Sequence, residues 1–193
     1  PVALAEHLSS NVIDFKGVHI ITNDTVSVFG INFEDHTADA SRILPKQSLG
    51  TNYMVTSYMG ISGGGQVYLS EFLIVATEDN TQVEITPSVA TLGGAAAGVP
   101  YVVNLDQGES YQVKANLFTT DLTGTTIVGT AQSGECRPFA VFGGSECTLI
   151  PAGCTACDHI FDQMLPVETW GNNYFTIPFT GTSGYTYRVL ARD

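Results

Sequence analysis

Four cysteines, Cys136, Cys147, Cys154 and Cys157, fall within 22 residues of a 193-residue chain that has none elsewhere. Thiols so grouped support three kinds of chemistry. Two disulfides would staple a long loop and belong in an oxidising compartment. A zinc knot needs four thiolate or imidazole ligands in a tetrahedron, with His159 as a further donor, and its strong signature is two paired knuckles. Only Cys154-x-x-Cys157 is such a pair. A redox Cys-x-x-Cys wants a low-pKa thiolate at a helix N-terminus after a strand, whereas Pro151-Ala152-Gly153 precedes this one. Crowding in one corner favours a local staple or a metal knot over a chain-wide framework.

Other residue groups are weaker candidates. Glu34, Asp35, His36 and Asp39 gather donors in one loop, and Glu78-Asp79-Asn80 gathers oxygens in a turn. Calcium takes six or more oxygens, so Glu34, Asp35, Asp39, Glu78 and Asp79 are candidate ligands, although neither group has EF-hand spacing. The alternative is a solvated acidic loop and an Asx-type turn. Asp158 and His159 near Ser145 suggest an acid–base–nucleophile set, but Gly143-Gly144-Ser145 is not a nucleophile elbow. Asp158 capping loop amides, with His159 packed beneath, is the structural reading of that pair. Gly63-Gly64-Gly65 and Gly93-Gly94 lack the Lys-Ser/Thr of a phosphate cradle and read as loop tips. Trp170, Tyr53 and Tyr174 could stack on sugars but are expected in the core. Asn23-Asp24-Thr25 is a glycosylation sequon, with Asn23 the acceptor.

The composition narrows the class. Seven basic residues against nineteen acidic ones give a formal charge of −12, which argues against nucleic acid and anionic membrane, since both need clustered cations. A 44% hydrophobic fraction is too high for disorder, and no apolar run approaches the length of a spanning helix. The chain opens at Pro1 rather than Met, the mark of a trimmed or processed product.

The elements that must position these residues read as strands. Runs of Val, Ile, Thr, Tyr and Phe alternate with Gly, Asn and Asp. Three tight hairpins are expected: Val18–Thr22 with Thr25–Phe29, Phe72–Thr77 with Gln82–Thr86, and Tyr101–Leu105 with Ser110–Lys114. Further strands are expected at Thr125–Gly129, Phe139–Phe142, Tyr174–Phe179 and Tyr185–Ala191. One short helix is expected at Asp158–Met164, where Ile160, Phe161 and Met164 share a helical face behind a capping Asp158.

An internal duplication organises these runs. Leu44-Pro45-Lys46-Gln47-Ser48-Leu49-Gly50-Thr51-Asn52-Tyr53 aligns with Leu165-Pro166-Val167-Glu168-Thr169-Trp170-Gly171-Asn172-Asn173-Tyr174, five of ten positions being identical. Val28-Phe29-Gly30 matches Val141-Phe142-Gly143, and Asp14, Gly17 and Ile20 match Asp121, Gly124 and Ile127. Phe72–Ala76 resembles Tyr187–Ala191. The expected fold is all-β: two duplicated β-sandwich, jelly-roll-like subdomains, 1–106 and 107–193, the second carrying the cysteine-rich loop. Both units look cut within the repeat, so strands crossing between copies and a longer natural protein are expected. A propeller-like arrangement is the alternative, because a repeat of about a hundred residues could equally be two blades.

The run CDHIFDQMLPVETWG (157–171), with SEFLIVATEDNTQVEITP (70–87), LDQGESYQV (105–113), DLTGTTI (121–127), PFAVFGGSECTLIP (138–151) and ILPKQSLGTNY (43–53), resembles the IgGFc-binding protein N-terminal family. Together these blocks cover nearly the whole chain from about residue 17. The resemblance implies an extracellular, non-catalytic adhesion or recognition module of a larger surface or mucus protein, without resident cofactor, binding a protein or glycan partner. A structural spacer with no ligand of its own is the competing reading. The resemblance also places Cys147 opposite Cys157. On the disulfide reading the second bridge is 136–154, whose two cysteines depart from the family's pattern.

Overall fold

The computed structural model describes residues 6–35, 37–130, 135, 137–151, 153–178, 180–181 and 187–192, the Glu34 side chain excepted. Thirteen strands run through these residues. They are β1 (Ile13–Asp14), β2 (Val28–Glu34), β3 (Thr37–Ile43), β4 (Asn52–Met54), β5 (Ser62–Gly63), β6 (Gln66–Val67) and β7 (Ser70–Ala76). Then follow β8 (Thr81–Thr86), β9 (Tyr101–Leu105), β10 (Ser110–Lys114), β11 (Thr126–Thr130), β12 (Phe139–Thr148) and β13 (Asp158–Gln163).

The chain is an all-β sandwich. A five-stranded sheet in the order β1-β10-β7-β12-β13 faces a four-stranded sheet in the order β4-β11-β8-β9 across one core. Two-residue alternation builds that core. Phe72, Ile74 and Ala76 of β7 point inward, as do Val83 and Ile85 of β8, while the residues between them are half-buried. Val113, Phe139, Val141 and Ile127 complete the layer. Tyr53 reaches into it with a hydroxyl that donates to the Phe139 carbonyl at 2.7 Å and accepts from Gly50 N–H at 2.9 Å. Burial pushes that phenol up to about 12. No propeller-like set of blades is formed among the described residues.

Strands from both sides of residue 106 interleave in both sheets. β10 pairs β7, β12 pairs β7, and β11 lies between β4 and β8. The core therefore draws on residues from the whole span between Tyr53 and Met164.

Four local readings are corrected by this topology. The segments 72–77 and 82–86 are not a hairpin, because β7 and β8 lie in opposite sheets, and the same holds for β9 and β10. Both connections are arches that turn across the sandwich. They stand side by side: Asp106 accepts from Asn80 N–H at 2.9 Å and Asp79 from Gln107 N–H at 3.0 Å. The hairpin expected around Asn23-Asp24 is replaced by an exposed bend, since β2 pairs β3 instead. The helix expected at Asp158–Met164 is the strand β13, drawn out along β12, with Phe161 stacked on Phe142 at 5.0 Å. Beyond β13, residues 174–178 and 187–192 are in no strand.

The two Leu-Pro segments take the same local shape. Lys46–Ser48 and Val167–Thr169 are each one 3₁₀ turn, entered from an extended proline and left through an extended residue. In each, the following glycine donates its N–H to the hydroxyl of the tyrosine three residues on, Gly50 to Tyr53 at 2.9 Å and Gly171 to Tyr174 at 2.7 Å. Their burial differs sharply: Tyr53 is 1% exposed and Tyr174 69%.

Candidate functional site

The strands β12 and β13 deliver the cysteine corner. Cys147 sits near the end of β12 and Cys157 immediately before β13, and a disulfide joins them with Cα atoms 5.4 Å apart. The bridge closes a loop of ten residues, which contributes about 2–3 kcal/mol by constraining the unfolded chain. Cys154, expected in the second bridge at 136–154, lies on that loop as an exposed free thiol. Cys136 itself lies outside the described residues. Cys154 N–H turns back to the Pro151 carbonyl, which folds the loop tip over.

At the foot of the loop lies a recess of about 190 Å³, lined by Tyr58, Met59, Ile61, Thr148, Leu149 and Gly153 among others. Its wall is mostly hydrocarbon. Thr148 Oγ1 is buried there without a hydrogen-bond partner, while Met59 in the lining and Ile150 on the clipped loop are 43% and 45% exposed. An apolar recess with one unsatisfied hydroxyl suits recognition of a partner group better than bond-making chemistry.

The outer edge of β13 is sealed by side chains of β3 rather than by a further strand. Thr37, Asp39 and Ser41, at alternate positions, accept from the N–H groups of His159, Phe161 and Gln163 at 2.8, 2.7 and 2.9 Å. Ser41 then donates to Asp162, and Leu44 N–H to Gln163 Oε1. Side-chain oxygens here do the work of ladder carbonyls and keep the edge from pairing elsewhere.

Asp158, expected to cap loop amides, instead accepts from the Thr37 hydroxyl, and His159 meets Asn32 through Nε2 at 3.1 Å. Ser145 is fully buried, with its hydroxyl on the carbonyls of Leu69 and Cys147. The candidate calcium ligands are dispersed in role. Asp39 takes the amides of Ala40 and Phe161. Glu78 is gripped by Lys46 at 2.9 Å and Arg137 at 3.0 Å, which hold its carboxyl below the usual range. Asp79 braces the neighbouring arch, Asp35 is exposed, and His36 and the Glu34 side chain lie outside the described residues. Among the described residues no three His, Cys, Asp or Glu side chains gather as a metal cluster. Asn23 is exposed on its bend, and Trp170, expected in the core, is half-buried with Nε1–H on the Leu165 carbonyl.

Sequence reading missed a charged cluster beneath the loop. Lys114 of β10 reaches Glu146 of β12 at 2.6 Å and Glu71 of β7 at 3.9 Å. Burial pushes the Glu71 carboxyl up to about 7, Lys114 pulling it down and Glu146 up. Its only sequence signal is charge at strand positions of otherwise apolar runs. A second missed group is Arg188, which donates to Asp121, Thr123 Oγ1 and the Ser57 carbonyl and lies 4.2 Å from the Tyr58 ring centroid.

Fold and site define a class: a disulfide-clipped β-sandwich module that carries a surface loop. The family described as IgGFc binding protein matches residues 39–193, and the chain belongs to that family. It is similar to the human IgGFc-binding protein, 30% identical over 187 residues, which is 95% of this chain and 3% of that relative's length. No solved structure matches it.

Proposed function

We propose that this chain is an extracellular, non-catalytic recognition module of a larger surface or mucus protein, and that it engages a protein partner through the clipped loop. The observation that carries the reading is the apolar recess at the foot of that loop, with Met59 exposed in its lining and Ile150 exposed on the loop itself. A disulfide at its base fits an oxidising, extracellular setting. The human relative's name supplies the first probe, immunoglobulin Fc. A glycan partner is the finer alternative, and the exposed aromatic Tyr174 is what it would use.

The test is interferometry of the fragment over immobilised Fc and over a mucus glycoprotein, beside a glycan array. Saturable binding to a protein surface, weakened at least tenfold in Met59→Asp/Ile150→Asp, supports the reading. Saturable glycan binding that both variants retain would replace the protein partner. Silence on every surface would leave the spacer role.

A further inference from the structure

The strand β12 has a neighbour on each side, β7 and β13. Among the described residues β2 has one, β3. These two strands correspond: each carries Val-Phe-Gly, each is followed by an antiparallel partner and then by the Leu-Pro turn with its Gly-to-Tyr hydrogen bond. Registers agree as well, with Val28 opposite Ile43, and Val141 accepting from Met164 N–H. The open edge of β2 is thus the counterpart of the edge that β7 fills.

The strand beside that edge carries exposed apolar side chains. Phe29, Ile31 and Phe33 are 65%, 69% and 76% accessible. The counterpart of β7 is also in this chain, since Tyr187–Ala191 resembles Phe72–Ala76. Ile74 is fully buried, whereas Val189, in the equivalent place, is 88% exposed. Arg188 pins this segment to Asp121 and presents Val189 outward.

The glycines agree. A Cβ on Gly143 would meet the Thr56 carbonyl at 2.1 Å, so glycine is required by a backbone passing over it. At Gly30 a Cβ would meet side chains alone, the flexible Ile43 Cδ1 at 3.1 Å and the Phe161 ring at 3.9 Å, with no backbone over it. Thr56 corresponds to Ile177, which is 81% exposed.

We propose that the open edge of β2 is completed by Tyr187–Ala191 of a second copy of this module. The strand adds antiparallel in the register of β7 on β12, where Val141 faces Ile74 and Gly143 faces Phe72. Val28 then faces Val189, and Gly30 faces Tyr187. Strand addition supplies main-chain hydrogen bonds along the edge, and the apolar side chains set the register. Donor and acceptor are different surfaces, so the contact is heterologous and propagates head to tail. A charge of −12 on each copy opposes the approach, so salt promotes it.

The test places Val28→Cys with Val189→Cys in a Cys136→Ser/Cys154→Ser background. Mild oxidation should give a ladder of dimers, trimers and higher species, formed at least tenfold faster than with Val28→Cys and Leu190→Cys, whose thiol faces the other side. Equal rates, or no ladder, would overturn the proposal. A labelled peptide of residues 186–193 titrated onto the wild-type chain gives an arm that needs no refolded variant. Saturable binding, lost with the peptide N-methylated at Arg188, whose N–H faces β2 in this register, and kept with it N-methylated at Val189, whose N–H faces away, supports it. Failure of the wild-type chain to bind that peptide contradicts it and leaves the edge to some other occupant.

Discussion

The hairpins β2–β3 and β12–β13 share a sequence pattern, a register and a following Leu-Pro turn, yet β12 is mostly buried and β2 largely exposed. In β12, Val141 is fully buried and Phe142 half-buried, while in the equivalent places of β2 Val28 is half-buried and Phe29 is exposed. Local sequence therefore specifies the hairpin, and its neighbours decide whether it becomes core. The strand β12 has β7 on one side and β13 on the other; β2 has β3 alone among the described residues, and β3 in turn seals the edge of β13.

Four experiments separate these two environments. The largest expected effect is at the paired glycines. Gly143→Ala drives a methyl into the Thr56 carbonyl and is expected to cost about 3–5 kcal/mol, because backbone must shift. Gly30→Ala meets side chains alone, tightly only at the end of Ile43, and should cost less than about 1 kcal/mol. Urea denaturation of both variants measures the contrast, and equal costs would erase it.

Removing the bridge by Cys147→Ser/Cys157→Ser is expected to lower stability by about 2–3 kcal/mol, as judged by the shift in urea midpoint. The loss should fall on the filled hairpin, raising amide exchange in β13 and leaving β2 as it was.

Glu71 makes that hairpin's surroundings sensitive to pH. Its carboxyl titrates near 7 when folded and near 4.5 when unfolded, so between those values the native chain holds a proton that the unfolded chain has released. Stability from this group is fully present below about pH 4.5 and falls as pH rises through 7. Glu71→Gln removes the penalty, leaves Lys114 paired with Glu146, and should stabilise the chain at pH 8 by about 1–3 kcal/mol while changing little at pH 4. Melting curves at the two pH values check the sign.

The smallest effect concerns the seal. Asp39→Ala strips the acceptor from Phe161 N–H and should cost about 1 kcal/mol, read by denaturation together with faster exchange of that amide. An unchanged Phe161 exchange rate would show that water replaces the carboxylate without loss.

Much of this was legible in the chain. Alternating Phe72, Ile74 and Ala76, and Val83 with Ile85, announced strands, since a half-buried pleat leaves a two-residue pattern. Whether β7 and β8 formed a hairpin or an arch was not legible. Both use short polar turns, and the choice was made by Asp79, Asp106 and the core across the sandwich. Asp158–Met164 was misread as helix because Ile160, Phe161 and Met164 suit either period. The stacking of Phe161 on Phe142 and the seal from β3, both distant in sequence, decided for strand. Of the site, the grouped thiols were visible from spacing. The recess was not, because Tyr58, Met59 and Thr148 come together only through the fold.

Hydrogen exchange along β2 and β12, followed at low and at high protein concentration, tests the contrast between the two hairpins most directly. The account predicts β12 amides protected at both concentrations, and β2 amides gaining at least tenfold protection only at the high one. Outward amides of β2 that exchange equally fast at both concentrations would contradict it.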